Sequence, residues 1–172
     1  MEESENKVVF FLVSLATLGI WRFFSVPQGY VCLVTAFGKY IRQVDPGLGS
    51  CLSFWGLYQR PYKLVSVKQQ TRNYPKESVF TGDGVRCAID VFVVYKIVDP
   101  VKAVFEIENY EGAIKSLVQA TLRNECGNLA ARQLLAGRQQ LVKKLKETLD
   151  TETETWGISV QNVEITEIEM ER

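Results

Sequence analysis

The side chains most able to do chemistry are four cysteines, twenty carboxylates and twenty Lys or Arg residues; histidine is absent. Without histidine there is no Ser-His-Asp triad, no His-ligated zinc and no imidazole acid–base catalyst. Cys32, Cys51, Cys87 and Cys126 include no CxxC pair, so neither a zinc ribbon nor a thioredoxin-type dithiol is expected. A cysteine with no histidine to activate it is a weak nucleophile. Free thiols in a reducing compartment are the simpler reading of so sparse a set. Cys32 and Cys51 flank segments that read as membrane-facing, which makes them candidates for S-acylation. Glu147, Asp150, Glu152 and Glu154 fall on one helix and read as a solvated face, and Glu164, Glu167, Glu169 and Glu171 as solvated or partner-contacting positions. Gly47-x-Gly49 and Gly82-x-Gly84 begin like a dinucleotide fingerprint, but lack its third glycine and its strand–turn–helix setting. There is no phosphate-binding GxxxxGK[ST] loop. No catalytic residue, cofactor site or metal site is expected.

The charges instead carry information through their order. Over 172 residues they sum to zero, which argues against nucleic acid as a partner. Residues 1–26 hold three acids and two bases. Residues 27–75 hold six bases (Lys39, Arg42, Arg60, Lys63, Lys68, Arg72) against Asp45 alone. Residues 76–172 hold twelve bases and sixteen acids. The chain therefore reads as an N-terminal tip (1–26), a basic β-rich part (27–75) and an acidic α+β part (76–172).

The tip carries an apolar run, VVFFLVSLATLGIW, followed by Arg22, Phe23 and Phe24. As a helix, the 17 residues from 8 to 24 measure about 26 Å against a hydrocarbon core of about 30 Å. Val8, Phe10, Phe11, Leu12, Leu15, Leu18, Ile20, Trp21, Phe23 and Phe24 are the expected membrane anchor, either spanning or re-entrant, with Arg22 at the interface. The acidic flank and the absence of a small-x-small site oppose a cleaved signal peptide. Bases over 22–42 favour placing the SPFH-sized remainder of the chain, C-terminal to the anchor, on the cytoplasmic side. A second uncharged stretch, 48–58, is read two ways. It is a loop packed on the core, or a second membrane contact through Leu48, Leu52, Phe54, Trp55, Leu57 and Tyr58. The headgroup-facing bases would be Arg22, Lys39, Arg42, Arg60 and Lys63.

The elements that must position these residues emerge from pattern. Residues 30–37 and 40–44 read as a hairpin about Gly38-Lys39, and 62–74 as a strand ended by Tyr74-Pro75. Residues 85–98 alternate apolar and polar after Gly82-Asp83-Gly84, so one face is buried and Cys87 lies in the core. Asp99-Pro100 opens a short helix. Helices come next over 111–126, 129–136 and 138–156, the last with a Leu141, Leu145, Leu149 stripe. The final strand, 158–170, changes apolar phase twice, which predicts bulges near Asn162 and Glu167. Strands, then helices, then a strand make an α+β fold with sheet and helices face to face.

These pieces, in this order, resemble the SPFH or band-7 family of stomatins, prohibitins and flotillins, and most closely its stomatin branch. The resemblance rests on Val26-Pro27-Gln28-Gly29, Phe37-Gly38-Lys39 and Pro46-Gly47-Leu48. It continues through Gly84, Tyr95-Lys96-Ile97-Val98-Asp99-Pro100 and the helix Gln119-Ala120-Thr121-Leu122-Arg123-Asn124-Glu125-Cys126-Gly127. It ends with Trp156-Gly157-Ile158 and Val163-Glu164-Ile165. It covers about residues 22–170. It implies a non-enzymatic scaffold: antiparallel strands packed on helices behind an N-terminal membrane anchor. It implies homo- or hetero-oligomers with SPFH chains that organise membrane microdomains and modulate membrane proteins. A dedicated regulatory subunit of a membrane protease or channel is the alternative. Relatives usually continue into a coiled-coil helix after the last strand, whereas these residues end at Arg172; cage assembly through such a helix is not expected of them.

Overall fold

The computed structural model describes residues 21–52 and 58–171. They form two compact units, Met1–Val67 and Lys68–Arg172. The α+β class with antiparallel sheets stands, but the division falls eight residues before residue 75, which lies inside a strand.

Unit 1 is built from strands: β1 (Trp21–Val26), β2 (Tyr30–Ala36), β3 (Lys39–Val44), β4 (Gly47–Leu52) and β5 (Gln59–Ser66). β1 pairs antiparallel with β4, and β2 lies between β3 and β5. Val31 to Ala36 of β2 are all buried, so β2 is the core of this unit. The apolar helix expected to continue through Phe24 is corrected here. Trp21, Arg22, Phe23 and Phe24 are backbone of β1, in register with Leu52, Cys51, Ser50 and Gly49. Aromatic and β-branched residues favour a pleated strand when a partner is present. The ring of Phe24 covers Gly49: a Cβ there would lie 2.6 Å from it. Phe24 thus serves the packing of unit 1. Val8, Phe10, Phe11, Leu12, Leu15, Leu18 and Ile20 lie outside the described residues, as do Phe54, Trp55 and Leu57. Among the described residues, no helix is long and apolar enough to cross a membrane.

Unit 2 contains β6 (Gln69–Phe80), β7 (Arg86–Ile97), α1 (Pro100–Phe105), α2 (Tyr110–Gly127), α3 (Ala131–Ala136), α4 (Arg138–Glu154) and β8 (Ile158–Glu171). The sheet order is β6-β7-β8, antiparallel throughout. Helix α2 packs on β6 and on α4, and α4 packs on β8. Cys87, Ile89, Val91, Val93, Tyr95 and Ile97 of β7 meet Ile114, Val118 and Leu122 of α2 and Leu141, Leu145 and Leu149 of α4 in one buried core. Both bulges of β8 are present. The register skips Gln161 opposite Val94/Tyr95 and Thr166 opposite Asp90/Val91. Their freed backbone groups find side chains. Asp150 Oδ1 accepts from Val160 N at 2.9 Å, and Arg138 donates to the Ile165 carbonyl. Asp150 is therefore a sheet ligand and not part of a solvated face. The strand break expected at Tyr74-Pro75 is also corrected. β6 runs through it, with a register shift between Tyr74 and Glu77. β6 is an edge strand, where proline is tolerated at a bulge, and Asp90 accepts the stranded Lys76 N–H at 2.7 Å.

Candidate functional surface

The residues singled out from sequence converge on unit 1, and its strand alternation decides which of them face outward. In β1, Phe24 and Val26 turn inward while Phe23 is exposed. A register shift in the β2–β3 pair leaves Ile41 bulged and exposed, and one in the β2–β5 pair does the same for Tyr62. In β4, Leu48 is 79% exposed and Leu52 is exposed, while Gly49 and Cys51 are buried. Leu64 and Tyr58 are exposed as well. Among the described residues, eleven large hydrophobic side chains are exposed. Eight of them (Phe23, Phe37, Ile41, Leu48, Leu52, Tyr58, Tyr62, Leu64) belong to unit 1. Isolated exposed hydrophobics are ordinary, but this concentration in the smaller unit is not.

Basic residues accompany them. Lys39, Arg60 and Lys63 are exposed and have no partner among the described residues. Arg42, expected to face headgroups, donates to the Ser50 carbonyl and so ties β3 to β4. Between β1, β2 and β5 a cleft of about 230 Å³ is lined by Phe24, Ser25, Cys32, Pro61, Tyr62, Lys63 and Leu64.

Cys32 and Cys51 are 1% and 0% exposed. Burial pushes the Cys32 thiol above its ordinary value, with Cys51 adding to the shift. An acyl chain requires a thiol that an acyl donor can reach, and here both sulfurs are turned inward. Cys87 and Cys126 are likewise buried and free. Burial, with Cys87 and Glu125 adding to it, pushes Cys126 up to about 11.

The hairpin between β2 and β3 holds a residue that the sequence reading placed in a strand and did not single out. Phe37 sits at the tip beside Gly38, with φ of +49° and +82° respectively. It is 80% exposed. Its ring meets Tyr58 edge-on, with centroids 5.5 Å apart.

Unit 2 offers clefts without a catalytic constellation. The largest, about 450 Å³, is lined by Glu125, Leu129, Gln133, Gln140, Leu141 and Lys144, and the Lys144–Glu125 ion pair (2.8 Å) lies within it. Among the described residues, no group of three or more Cys, Asp or Glu is placed to hold a metal ion.

Residues 24–172 match the SPFH domain / Band 7 family. A protein of Methanocaldococcus jannaschii is 33% identical over 137 residues, which is 80% of this chain and 67% of that protein. A stomatin homolog of Pyrococcus horikoshii is 29% identical over 166 residues, 94% of this chain and 61% of its own length. A stomatin homolog of Pyrococcus abyssi is 35% identical over 107 residues, 62% of this chain and 40% of its own. The chain thus spans between 40% and 67% of these relatives. With nearly all of both units inside the matched range, and the bulges and turns where the motif order places them, the chain belongs to the SPFH / Band 7 family.

Proposed function

We propose that this chain is a membrane-associated scaffold, not an enzyme. It would assemble with copies of itself or related chains, organise the bilayer around it and modulate membrane proteins there. Family membership supports the scaffold class. The observation that carries the membrane reading is the concentration of exposed apolar side chains in unit 1 beside Lys39, Arg60 and Lys63. Apolar side chains enter the boundary between headgroups and acyl chains, and each nearby base contributes about 1 kcal/mol against anionic lipid.

The apolar run of residues 8–20 is the anchor in this reading, and β1 limits what it does. With 21–24 committed to the sheet, thirteen residues remain between Val8 and Ile20. As a helix they measure about 20 Å, short of the roughly 30 Å core. Insertion into one leaflet therefore fits better than a span. Unit 2, where acids outnumber bases, would stay off anionic lipid and meet partners on the cytoplasmic side.

The test is co-sedimentation of the chain lacking residues 1–20 with vesicles of phosphatidylcholine and phosphatidylserine. That deletion spares every described strand. Binding is expected to weaken several-fold as salt rises and to be lost without the anionic lipid. Failure to bind anionic vesicles, or binding indifferent to salt, overturns the lipid-facing role of unit 1. Native mass after mild detergent extraction of the full chain tests the scaffold: many copies are expected, and a monomer refutes it.

A further inference from the structure

We infer that the β2–β3 hairpin tip is a membrane-inserting wedge, with Phe37 as its apolar point and Lys39 and Arg60 as its headgroup contacts. Two central residues between Ala36 and Lys39, both at positive φ, make the turn pattern that matches the twist of a two-residue hairpin. Its first central position is the place for Asn, Asp or Gly, because a Cβ there crowds the backbone. Phenylalanine is opposed on two counts: its backbone is strained, and its ring is left in water at 80% exposure. Strain of this kind points to a function the fold itself does not need. The ring is not idle. Its edge-on contact with Tyr58 joins the tip to the chain that leaves the second uncharged stretch, so two aromatic rings stand together. Lys39 comes two residues after Phe37 and Arg60 two after Tyr58, both without partners among the described residues. An apolar point ringed by aromatic and basic side chains is the composition of a bilayer interface contact. A second copy of unit 1 is disfavoured as the occupant, since the same bases would face one another.

The inference rests on the membrane reading of unit 1 and is tested apart from it. In the full chain, F37C carries a fluorophore, the native thiols being buried. L48C reports the rest of unit 1, and K115C reports an exposed position on α2. Each is bound to vesicles of phosphatidylcholine and phosphatidylserine bearing a quencher on the acyl chain. Quenching at F37C is expected to exceed that at K115C by about fivefold, with matching protection from aqueous iodide. Quenching at L48C without quenching at F37C overturns the wedge and leaves the membrane reading intact. Absence of quenching at both overturns both. Protection from iodide at F37C without acyl-chain quenching assigns the tip to a protein neighbour and overturns the wedge. F37G supplies an independent arm. Glycine relieves the backbone strain, so its urea midpoint is expected to be unchanged or raised, while vesicle affinity of the chain lacking residues 1–20 falls about tenfold. A lowered midpoint would make Phe37 a packing residue and overturn the inference.

Discussion

Gly157→Ala should damage unit 2 far more than any other exposed-loop glycine, and the reason is a meeting of two corners. Gly157 closes the turn after α4 at φ +71°, and its carbonyl accepts both Val98 N and Asp99 N at 2.9 Å. Asp99 in turn caps α1, accepting from Val101 N at 3.0 Å and Lys102 N at 3.2 Å. A Cβ on Gly157 would stand 2.6 Å from both the Cβ and the carbonyl oxygen of Asp99. Backbone cannot yield as a flexible side chain tip does, so relief means separating the two corners. The positive φ alone costs an alanine about 1–2 kcal/mol. Loosening two backbone hydrogen bonds adds about 1 kcal/mol each, for a total near 3–4 kcal/mol. Gly84 is the internal control. It sits at φ +80° with nothing within 4 Å of its Cβ position, so G84A should carry the φ cost alone. Equilibrium urea unfolding of the chain lacking residues 1–20, monitored by helical circular dichroism, reads unit 2, which holds all the described helices. At a slope of about 2 kcal/mol per molar urea, G157A should lower the midpoint by about 1.5–2 M and G84A by about 0.5–1 M. Equal shifts for the two variants would refute the steric argument.

Asp83 should make unit 2 acid-sensitive. Its carboxylate accepts from the Thr81 hydroxyl and from Ala131 N at 3.1 Å, and these bonds, the Thr81 one foremost, hold its pKa below the usual 3.8. A lowered folded-state value means the stabilisation is present above the unfolded-state pKa and disappears as pH falls through the folded one. D83N should flatten the decline of the thermal midpoint below about pH 4; an unchanged slope would show that Asp83 does not contribute. The four buried thiols should resist maleimide in the folded chain and react at the rate of unfolding in urea. Rapid native labelling of Cys126, whose pKa burial raises to about 11, would contradict its placement; rapid labelling of Cys32 would reopen its acylation.

Unit 2 was legible because its signals are local. The Gly82-Asp83-Gly84 turn, the Asp99-Pro100 cap, the leucine stripe of α4 and the two phase changes of β8 are each readable within a dozen residues, and each stands in the structure. The features that local pattern misses depend on partners distant in sequence. β1 looked like the end of an apolar helix because its partner, β4, begins 21 residues after β1 ends. Pro75 looked like a terminator because neither the edge position of β6 nor the Asp90 side chain that accepts the Lys76 N–H is visible locally. Asp150 looked solvated because the N–H it satisfies is created by a bulge in another element. The candidate surface was half legible. Composition marked unit 1 as apolar and basic, but which residues face outward depends on register shifts that no periodicity reveals.

The motif pieces that mark the family divide by what the backbone asks of them. Gly84 and Gly157 stand at positive φ, where their residue type is what the backbone requires. Asp99 caps a helix, and Asp99 and Gly157 turn out to be one device, since the carbonyl of the second holds the N–H of the first. These residues explain the fold. Phe37 is the opposite case. Gly38 beside it suits the turn, Lys39 opens β3, and the phenylalanine is the residue that the turn geometry and the surrounding water both disfavour. Glycine or asparagine there would make a more stable hairpin. Where a family motif keeps to local physics it encodes structure; where one member runs against it, the compensating interaction must lie outside the folded chain. For a unit with exposed apolar side chains and bases lacking partners, a lipid interface is the phase that compensates both.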